Sequence, residues 1–270
     1  MNILITGGGG FLGKEFTEYF SREHTVISLP RERLDVRNYY ALSRFFLGGK
    51  IDVVLHTAAR GGKRREEDTF FDLVDNLKML DSLIHFRHEY KLLLCFCSGA
   101  AYDRNRIIMN TPESEIAHRL PEDYYGLSKN ILAREIVKLE ENIVNLRLFG
   151  CFGKYEEDSR FIKNSILRKK DGFPILIDNN KAMDFFFVGD LCKVIEFYME
   201  HYEDSLPKDL NMVYPEKTTL LEIAKHIKGE VRLENQESAP DYTGDGSLLA
   251  NLGVPLQGLN AGIEEMKLHV

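Results

Sequence analysis

This chain of 270 residues lacks several features, and each lack excludes a class of protein. Its net charge of −7 supplies no broad basic field, which argues against a nucleic-acid-binding protein but leaves room for a small anionic ligand. Its longest apolar runs, KLLLCFCSGAA and DFFFVGDL, are far too short to span a membrane. It opens on MNILITGGGG, with no charged and then apolar leader, so we expect a cytoplasmic protein.

Cysteine is scarce as well. The four cysteines show no metal-ligand spacing, so we expect no metal site, and nothing indicates secretion. Cys95 and Cys97 would face the same way in a strand, which predicts reduced core residues. With 44% hydrophobic and 29% charged residues, the composition is that of an ordinary globular protein.

The chain does contain a regular alternation of strand-like and helix-like segments. Apolar runs such as NILIT, IDVVLHTAA, KLLLCFCS and NIVNLRLF are separated by helical patterns, including a long one over 70–90. Such alternation, with nearly continuous apolar strands, predicts a parallel sheet covered on both faces. Beyond about Gly150 the elements shorten, with brief strands in PILI, DFFFV and DLNMV and two short helices at the end.

A glycine run follows the first strand. In ILITGGGGFLG, Gly7, Gly10 and Gly13 fit one phosphate-binding spacing, and Gly8, Gly10 and Gly13 fit another equally well. Glycines permit a tight turn and close backbone approach to a phosphate at a helix N-terminus. We therefore predict an α/β fold: a Rossmann-type doubly wound parallel sheet over 1–150, to which later segments return. A smaller C-terminal α/β substrate-binding cap would cover 151–270.

Two adjacent tyrosines precede a lysine in PEDYYGLSKN. If a helix begins here, Lys129 shares a face with Tyr125, four residues earlier, and not with Tyr124. The two could then act as a pair, although an amphipathic helix surface shows the same spacing.

Five motifs occur in an order that resembles the extended branch of the short-chain dehydrogenase/reductase superfamily. They are TGGGGFLG (6–13), LDVRN (34–38), HTAA (56–59), SGAAY (98–102) and YGLSK (125–129). That branch contains the NAD-dependent nucleotide-sugar epimerases, dehydratases and reductases, and its C-terminal region is similar too. The resemblance implies an oxidoreductase of a nucleotide sugar and a homodimer paired through the 70–90 helix and the Tyr125 helix.

The resemblance also implies roles for single residues. Tyr125 corresponds to the catalytic tyrosine, Lys129 to the lysine that favours its phenolate, and Ser98 to the hydroxyl that polarises the substrate carbonyl. Asp35 would meet the adenine amino group. Asn76 and His56 are expected to be structural. The cofactor-binding positions implied are Gly7, Gly10, Phe11, Leu12, Gly13, Arg31, Asp35, Val36, Ala58, Ala59, Lys129 and Leu148.

The end of the second strand bears on the choice of cofactor. No acid ends HTVISL, and Arg31 and Arg33 flank the only candidate, Glu32. An acid there suits the ribose of NAD, whereas arginine suits a 2′-phosphate. This favours NADP(H), with NAD(H) possible, although the arginines could also belong to a solvated loop.

Departures from the family pattern narrow the reaction. The 4,6-dehydratases carry an Asp-Glu pair after the catalytic hydroxyl, where this chain has Gly99 and Ala100. The segment 28–63 is most similar to the GDP-fucose synthase-like 4-keto nucleotide-sugar reductases. In those enzymes a cysteine and a histidine epimerise the sugar, and Ala100 and Arg160 stand in their places. We therefore expect an NADPH-dependent reductase of a 4-keto nucleotide sugar.

Substrate contacts are less clearly marked. Gly150 stands where an asparagine often contacts the sugar nucleotide, and Met183 replaces a phosphate-binding arginine. Diphosphates require cationic partners, which other basic residues could supply. The candidates for substrate binding are Ala100, Tyr124, Gly150, Arg160 and Lys181, with Lys163, Arg168 and the run RGGKRREED (60–68) as further possibilities.

Three alternatives remain open. An NAD-dependent nucleotide-sugar epimerase fits the same motifs. A non-catalytic NADP-binding sensor would need the glycine run but not Ser98, Tyr125 and Lys129. The loss of arginine at Met183 also leaves room for a ketone or aldehyde substrate without a nucleotide.

Overall fold

A computed structural model of the protein describes residues 1–62, 66–139, 142–237 and 239–270. Its strands are β1 (Asn2–Thr6), β2 (Thr25–Leu29), β3 (Val53–His56), β4 (Leu92–Ser98), β5 (Ile108–Thr111), β6 (Ile143–Leu148), β7 (Cys151–Phe152), β8 (Ile175–Ile177), β9 (Phe186–Phe187), β10 (Asp209–Met212), β11 (Val231–Leu233) and β12 (Tyr242–Gly244). Its α-helices are α1 (Phe11–Phe20), α2 (Tyr39–Leu47), α3 (Phe70–His85), α4 (Tyr124–Ile136), α5 (Phe161–Lys170), α6 (Val188–Glu200), α7 (Leu220–Ile227), α8 (Ser247–Asn251) and α9 (Leu259–Lys267). Short 3₁₀ turns lie at Arg87–Glu89, Gly99–Tyr102 and Glu113–Ala117.

Six parallel strands form the central sheet, in the order β10-β6-β4-β3-β1-β2. The chain runs from β1 out to β2 at one edge and then crosses to the other side of β1 with β3. Strands β4, β6 and β10 then extend the sheet beyond β3, on the side away from β1. This reversal of direction makes the sheet doubly wound, as the sequence predicts, and leaves a crevice at the carboxyl ends of β1 and β3.

Helices cover both faces of the sheet because its strands are apolar on both sides. In β1, Ile3 and Ile5 belong to a core cluster that includes Phe16 of α1 and residues of α6. Leu4 between them belongs to a second cluster with Leu42 of α2 and residues of α3 and α4. Successive strand residues point to opposite faces, so one apolar run supplies both cores.

The second half of the chain returns to the first. β10 pairs with β6 at the edge of the central sheet, and three two-stranded sheets (β5–β12, β7–β9 and β8–β11) surround it. The first core cluster contains residues from both sides of position 150, including Phe96 and Ile195. The division into 1–150 and 151–270 remains a prediction. Among the described residues, no helix is both long and apolar enough to cross a membrane.

Some elements differ from the sequence expectations. The long helical pattern over 70–90 ends at His85, and a 3₁₀ turn over Arg87–Glu89 follows it. The sequence patterns do not indicate β5 or β12. These strands have four and three residues, too few to show an alternating pattern, and each is defined by its distant partner.

A buried ion pair holds β10 beside β6. Arg147 on β6 is 0% exposed, and its Nη2 donates to both carboxylate oxygens of Asp209 on β10 at 2.7 and 2.6 Å. Its Nη1 donates to Tyr102 Oη at 2.5 Å and to Asn211 Oδ1 at 3.0 Å. The Asn211 amide in turn donates to the carbonyl of Asp245 at 3.2 Å. One guanidinium thus ties together two strands, the turn after β4 and the segment after β12.

Replacing this arginine tests the role of the pair. We expect Arg147→Met to lower the free energy of unfolding by about 3–5 kcal/mol, because it leaves Asp209 charged and buried without its partner. The double variant Arg147→Met/Asp209→Leu should recover most of that loss. Lys138→Met, which breaks an exposed pair with Glu135, is the control and should cost less than about 1 kcal/mol. Urea denaturation measures all three; equal losses for the first variant and the control would contradict the assignment.

Candidate active site

The glycine run forms the turn between β1 and α1. Gly7 has φ +74°, and a Cβ there would lie 2.8 Å from Ala58 Cα. A Cβ at Gly13 would lie 2.5 Å from the Gly7 carbonyl oxygen, and one at Gly8 would lie 2.2 Å from Ser28 Oγ. Gly10 is the residue that precedes α1, and its N–H donates to Gly7 O at 2.9 Å. Residues with side chains would clash at these positions, so only glycines let the turn pack its backbone against the residues just after β3.

The start of α1 is suited to an anion. No side chain caps it, and its first turn, which begins with Phe11 and Leu12, carries no acid. Side chains do cap α3, α4 and α7, through Thr69, Asp123 and Thr219 respectively. A helix N-terminus without a cap keeps backbone N–H groups that point outward and attract a phosphate. These residues fit the diphosphate of a dinucleotide.

The first charged residue after β2 is an arginine, Arg31, and not an acid. β2 ends at Leu29, whose carbonyl accepts a hydrogen bond from Gly8 N at 3.2 Å, so this end lies beside the glycine turn. Arg31 is 55% exposed, and its Nε lies 3.7 Å from Asp35. Hydrogen bonds from Arg37 at 2.9 and 2.6 Å hold the pKa of Asp35 down, at about 2. Val36 is 3% exposed and packs in the second core cluster.

Helix α4 turns its two tyrosines in different directions. The Asp123 side chain accepts from Gly126 N at 2.7 Å and starts the helix at Tyr124. The Lys129 ammonium lies 5.7 Å from the centre of the Tyr125 ring. Tyr124, which is 41% exposed, instead meets Phe70 edge to face at 6.1 Å. The structure therefore pairs Tyr125, not Tyr124, with the lysine.

Lys129 is a buried cation at the end of the sheet. It is 6% exposed, and its Nζ donates to the Phe96 carbonyl of β4 at 3.0 Å. His56, at the end of β3, shares a hydrogen bond of 2.8 Å with Thr6 Oγ1. Burial, assisted by the charge of Lys129, lowers the pKa of His56 to about 3. His56 is therefore neutral at physiological pH and adds no second positive charge beside Lys129.

The loop after β3 packs on the Tyr125 ring. Asn76 on α3 accepts from Arg60 N at 2.8 Å and donates to Ser128 of α4 at 3.0 Å, so it fastens the loop to both helices. Gly62 has φ +74°, and a Cβ there would lie 2.8 Å from Tyr125 Cζ. Residues 63–65 of the basic run over 60–68 lie outside the described residues. The sequence analysis singled out the run over 60–68 for its basic residues and did not identify this contact between Gly62 and the Tyr125 ring.

Ser98 ends β4, and its side chain accepts from Ala100 N at 3.2 Å. Ala100 is 1% exposed. The hydroxyl of Tyr242, on β12, lies beside the next residue, 2.7 Å from the place that a Cβ at Gly99 would take. Burial raises the pKa of Tyr242. No sequence motif marks Tyr242, because it reaches Gly99 only through the pairing of β12 with β5.

The remaining residues that the sequence predicts for cofactor or substrate binding are spread over several strands, helices and loops. Ala58 and Leu148 are half-buried at strand ends, and Ala59 is exposed. A Cβ at Gly150 would lie 2.9 Å from the Asp184 carbonyl oxygen, so the position is closely packed. Arg160 is exposed at the start of α5, and Lys181 is half-buried just before the bridge that joins 182 to 219.

One arginine that the sequence analysis did not single out, Arg104, lies beside the start of α4, the helix that carries Tyr124 and Tyr125. Arg104 is 44% exposed and donates to Asp123 at 2.8 Å. Asp123 is the residue that caps the Tyr125 helix. Arg104 is therefore a further basic residue at the edge of the site.

A comparison with protein families shows to which family the chain belongs. The family model described as "NAD dependent epimerase/dehydratase family" matches residues 3–212. The chain belongs to this family. Among curated proteins it is 24% identical to the GDP-6-deoxy-D-talose 4-dehydrogenase of Aggregatibacter actinomycetemcomitans, over 93% of this chain and 91% of that protein.

Solved structures with the same fold include two bound to NADP. One is a GDP-mannoheptose C4 reductase from Campylobacter jejuni, with a TM-score of 0.80, 21% identity, and coverage of 98% of this chain and 96% of that one. The other is a GDP-L-fucose synthetase from Naegleria fowleri, with a TM-score of 0.79, 16% identity, and coverage of 99% and 92%. These similarities confirm the Rossmann-type fold that the sequence predicts.

The contact between Gly62 and Tyr125 yields a matched pair of variants. Gly62→Ala and Gly172→Ala both place a side chain at positive φ and should each cost about 1–2 kcal/mol of stability. Nothing lies within 4 Å of a Cβ at Gly172, whereas one at Gly62 must displace the Tyr125 ring. We expect only Gly62→Ala to lower kcat, by about 100-fold, because small displacements of a reacting group are costly. Steady-state kinetics measure this; equal kcat values would show that the ring position is unimportant.

Proposed function

We propose that the protein is an NADPH-dependent reductase of a 4-keto deoxy nucleotide sugar. The observation that carries the proposal is the position of the Tyr125–Lys129 pair against β4, the strand that ends at Ser98. The Lys129 ammonium donates to the carbonyl of Phe96, two residues before Ser98, and lies 5.7 Å from the centre of the Tyr125 ring. The uncapped glycine turn opens at the same end, beside Ala58. A dinucleotide bound at that turn would extend toward the three residues.

The three side chains supply what reduction of a ketone requires. A reduced nicotinamide cofactor held at the glycine turn would supply the hydride for the carbonyl carbon. The Tyr125 hydroxyl donates its proton to the carbonyl oxygen, and the Ser98 hydroxyl donates a hydrogen bond to the same oxygen. The Lys129 ammonium, 5.7 Å from the ring centre, stabilises the phenolate that remains on Tyr125. His56 stays neutral and takes no proton from this pair.

The residues after Ser98 favour simple reduction over the other reactions of the family. Dehydration, and epimerisation at a carbon next to the keto group, both need an acid or base beside the sugar ring in addition to the tyrosine. Gly99 and Ala100 have no ionisable group, and Ala100 is buried. Arg160 is exposed at the start of α5 and is always charged, so it cannot accept a proton. The related proteins named above act on GDP-linked sugars, which supports a nucleotide sugar as substrate.

Removing the Tyr125 hydroxyl tests the proposal directly. With NADPH and a panel of 4-keto nucleotide sugars, we expect Tyr125→Phe to lower kcat by at least about 100-fold. Cofactor binding should persist, because the glycine turn is untouched. Tyr124→Phe removes the hydroxyl of the neighbouring tyrosine, whose ring packs on Phe70, and should change kcat less than about twofold. Absorbance of NADPH at its reduced-form band follows turnover.

The same assay separates the alternatives. Full activity of Tyr125→Phe would contradict the assignment. Tight NADP(H) binding by the wild type without turnover of any sugar or simple ketone would identify a sensor. Incorporation of solvent deuterium beside the keto carbon would identify an epimerase, because a simple reductase never removes that proton.

Arg31 tests the cofactor preference. No acid ends β2, and two structural relatives are bound to NADP. We expect Arg31→Ala to raise the Kd for NADPH about tenfold and to leave that for NADH unchanged, because Arg31 would pair with the 2′-phosphate. Arg44→Ala on α2 removes an equal charge and is the control. Fluorescence of the reduced cofactors measures binding. Tighter binding of NADH by the wild type would reverse the preference and favour the epimerase.

A homodimer and a cytoplasmic location belong to the same proposal. Leu73 and Leu80 of α3 are buried within the chain, whereas Phe70 and Phe71 at the start of α3 are exposed, and Phe70 contacts Tyr124. This aromatic surface, on the two helices expected to pair, supports the dimer. The molecular mass in solution tests it.

A further inference from the structure

Asp68, two residues before α3, holds the backbone of Gly62. Its Oδ1 accepts a hydrogen bond of 2.6 Å from the Gly62 N–H, and only 10% of its side chain is exposed. A hydrogen bond from a backbone N–H to a carboxylate is stronger than one between neutral groups. Gly61 and Gly62 both have positive φ, and a Cβ at Gly61 would lie 2.6 Å from Asp68 Oδ1. The carboxylate therefore occupies space that the pair of glycines leaves open.

Gly62 in turn lies on the ring of Tyr125. The three atoms nearest to a Cβ at Gly62 are Cζ of that ring, at 2.8 Å, and its two Cε atoms, both at 2.9 Å. These nearly equal distances place Gly62 over the face of the ring at its hydroxyl end. A movement of Gly62 therefore changes the space open to the group that donates the proton in the proposed reaction.

A second carboxylate holds Tyr125 from the side of its helix. Asp123 accepts from the Gly126 N–H at 2.7 Å and caps α4 directly before the two tyrosines. One guanidinium nitrogen, Arg104 Nη2, lies 2.8 Å from Asp123 Oδ1 and 3.9 Å from Asp68 Oδ2. One arginine thus lies between the carboxylates of the two segments that hold the ring. Because Arg104 is 44% exposed, its ion pair with Asp68 contributes less than the backbone hydrogen bond does.

We propose that Asp68 is a positioning residue of the reductase site. Its hydrogen bond fixes Gly62, and Gly62 fixes the Tyr125 ring, so the phenol is held where it can donate to the carbonyl oxygen of the substrate. The inference rests on the proposed function. It assigns a role to the acid that ends the run RGGKRREED, rather than to the basic residues of that run. Asp68 acts through Gly62 and does not touch the reacting atoms.

Two substitutions in the full chain test this role. Asp68→Ala removes the acceptor, whereas Asp68→Asn keeps an oxygen that can accept from Gly62 N but carries no charge. Both are assayed with NADPH and a 4-keto nucleotide sugar. We expect Asp68→Ala to lower kcat about tenfold with little change in KM, because small displacements of a reacting group are costly. Asp68→Asn should keep kcat within about threefold of the wild type, because the hydrogen bond can still form.

Asp52 provides a matched control at the opposite end of the sheet. It also accepts from a backbone N–H, that of Asn2 at 2.8 Å, and it has a cation, Lys91, at 3.7 Å. Its side chain is 15% exposed. Asp52→Ala should lower the midpoint of urea denaturation about as much as Asp68→Ala does but keep the wild-type kcat. A merely structural role for Asp68 would lower the midpoint in both variants and leave kcat unchanged in both.

Two kinetic results would overturn the role of Asp68. One is a wild-type kcat for Asp68→Ala. The other is a loss in Asp68→Asn as large as that in Asp68→Ala, which would mean that the charge matters and the acceptor does not. If Asp68→Ala does not fold, hydrogen exchange of the Gly62 N–H in the wild type and in Asp68→Asn decides instead. Protection in both supports the proposal, and unprotected exchange in the wild type refutes it.

Nuclear magnetic resonance of ring-labelled tyrosine gives a readout that does not need turnover. The Tyr125 signal is identified by its loss in Tyr125→Phe. It should shift in Asp68→Ala and keep its wild-type position in Asp68→Asn and Asp52→Ala. A wild type that reduces no keto sugar would overturn the proposed function, and the ring signal would then decide whether Asp68 positions Tyr125. An unchanged signal in Asp68→Ala would refute that role, and a shifted one would support it.

Discussion

The buried pair of Arg147 and Asp209 is the constraint on which the two halves of the structure depend. A fully buried guanidinium is tolerated only when a carboxylate and further acceptors surround it, so β10 can dock only where Asp209 meets Arg147. The same network reaches Tyr102 in the turn after Ser98, and Asn211, which binds the segment after β12. The hydrogen bonds that the buried Arg147 guanidinium requires therefore set the relative positions of β10, the turn after Ser98 and β12.

The site itself is built from backbone approaches that only glycine permits. At Gly7, Gly13, Gly62 and Gly99 a Cβ would lie within 2.8 Å of a neighbouring atom. The neighbours differ: they are the end of β3, the glycine turn itself, the Tyr125 ring and the Tyr242 hydroxyl. A cofactor turn and a catalytic pocket thus meet because segments far apart in sequence can come close without side chains between them.

The electrostatics of the site are equally simple. Lys129 is a buried cation beside Tyr125, and His56, its ionisable neighbour on β3, is held neutral by burial. No acid follows Ser98. The position after it is a glycine against which the half-buried phenol of Tyr242 packs. The arrangement offers hydroxyl protons and one fixed positive charge, which suits addition to a carbonyl better than removal of a carbon-bound proton.

The sequence by itself determined the strand–helix alternation, the glycine turn, the pairing of Tyr125 with Lys129 and the absence of an acid after Ser98. These are local: they depend on periodicity and spacing within a few residues. Only the tertiary structure placed Tyr242 against Gly99, Gly62 on the Tyr125 ring and Arg104 beside Asp123 at the start of α4. These contacts depend on short strands and loops whose partners lie far along the chain. Because no local pattern records such pairing, sequence reasoning cannot recover it.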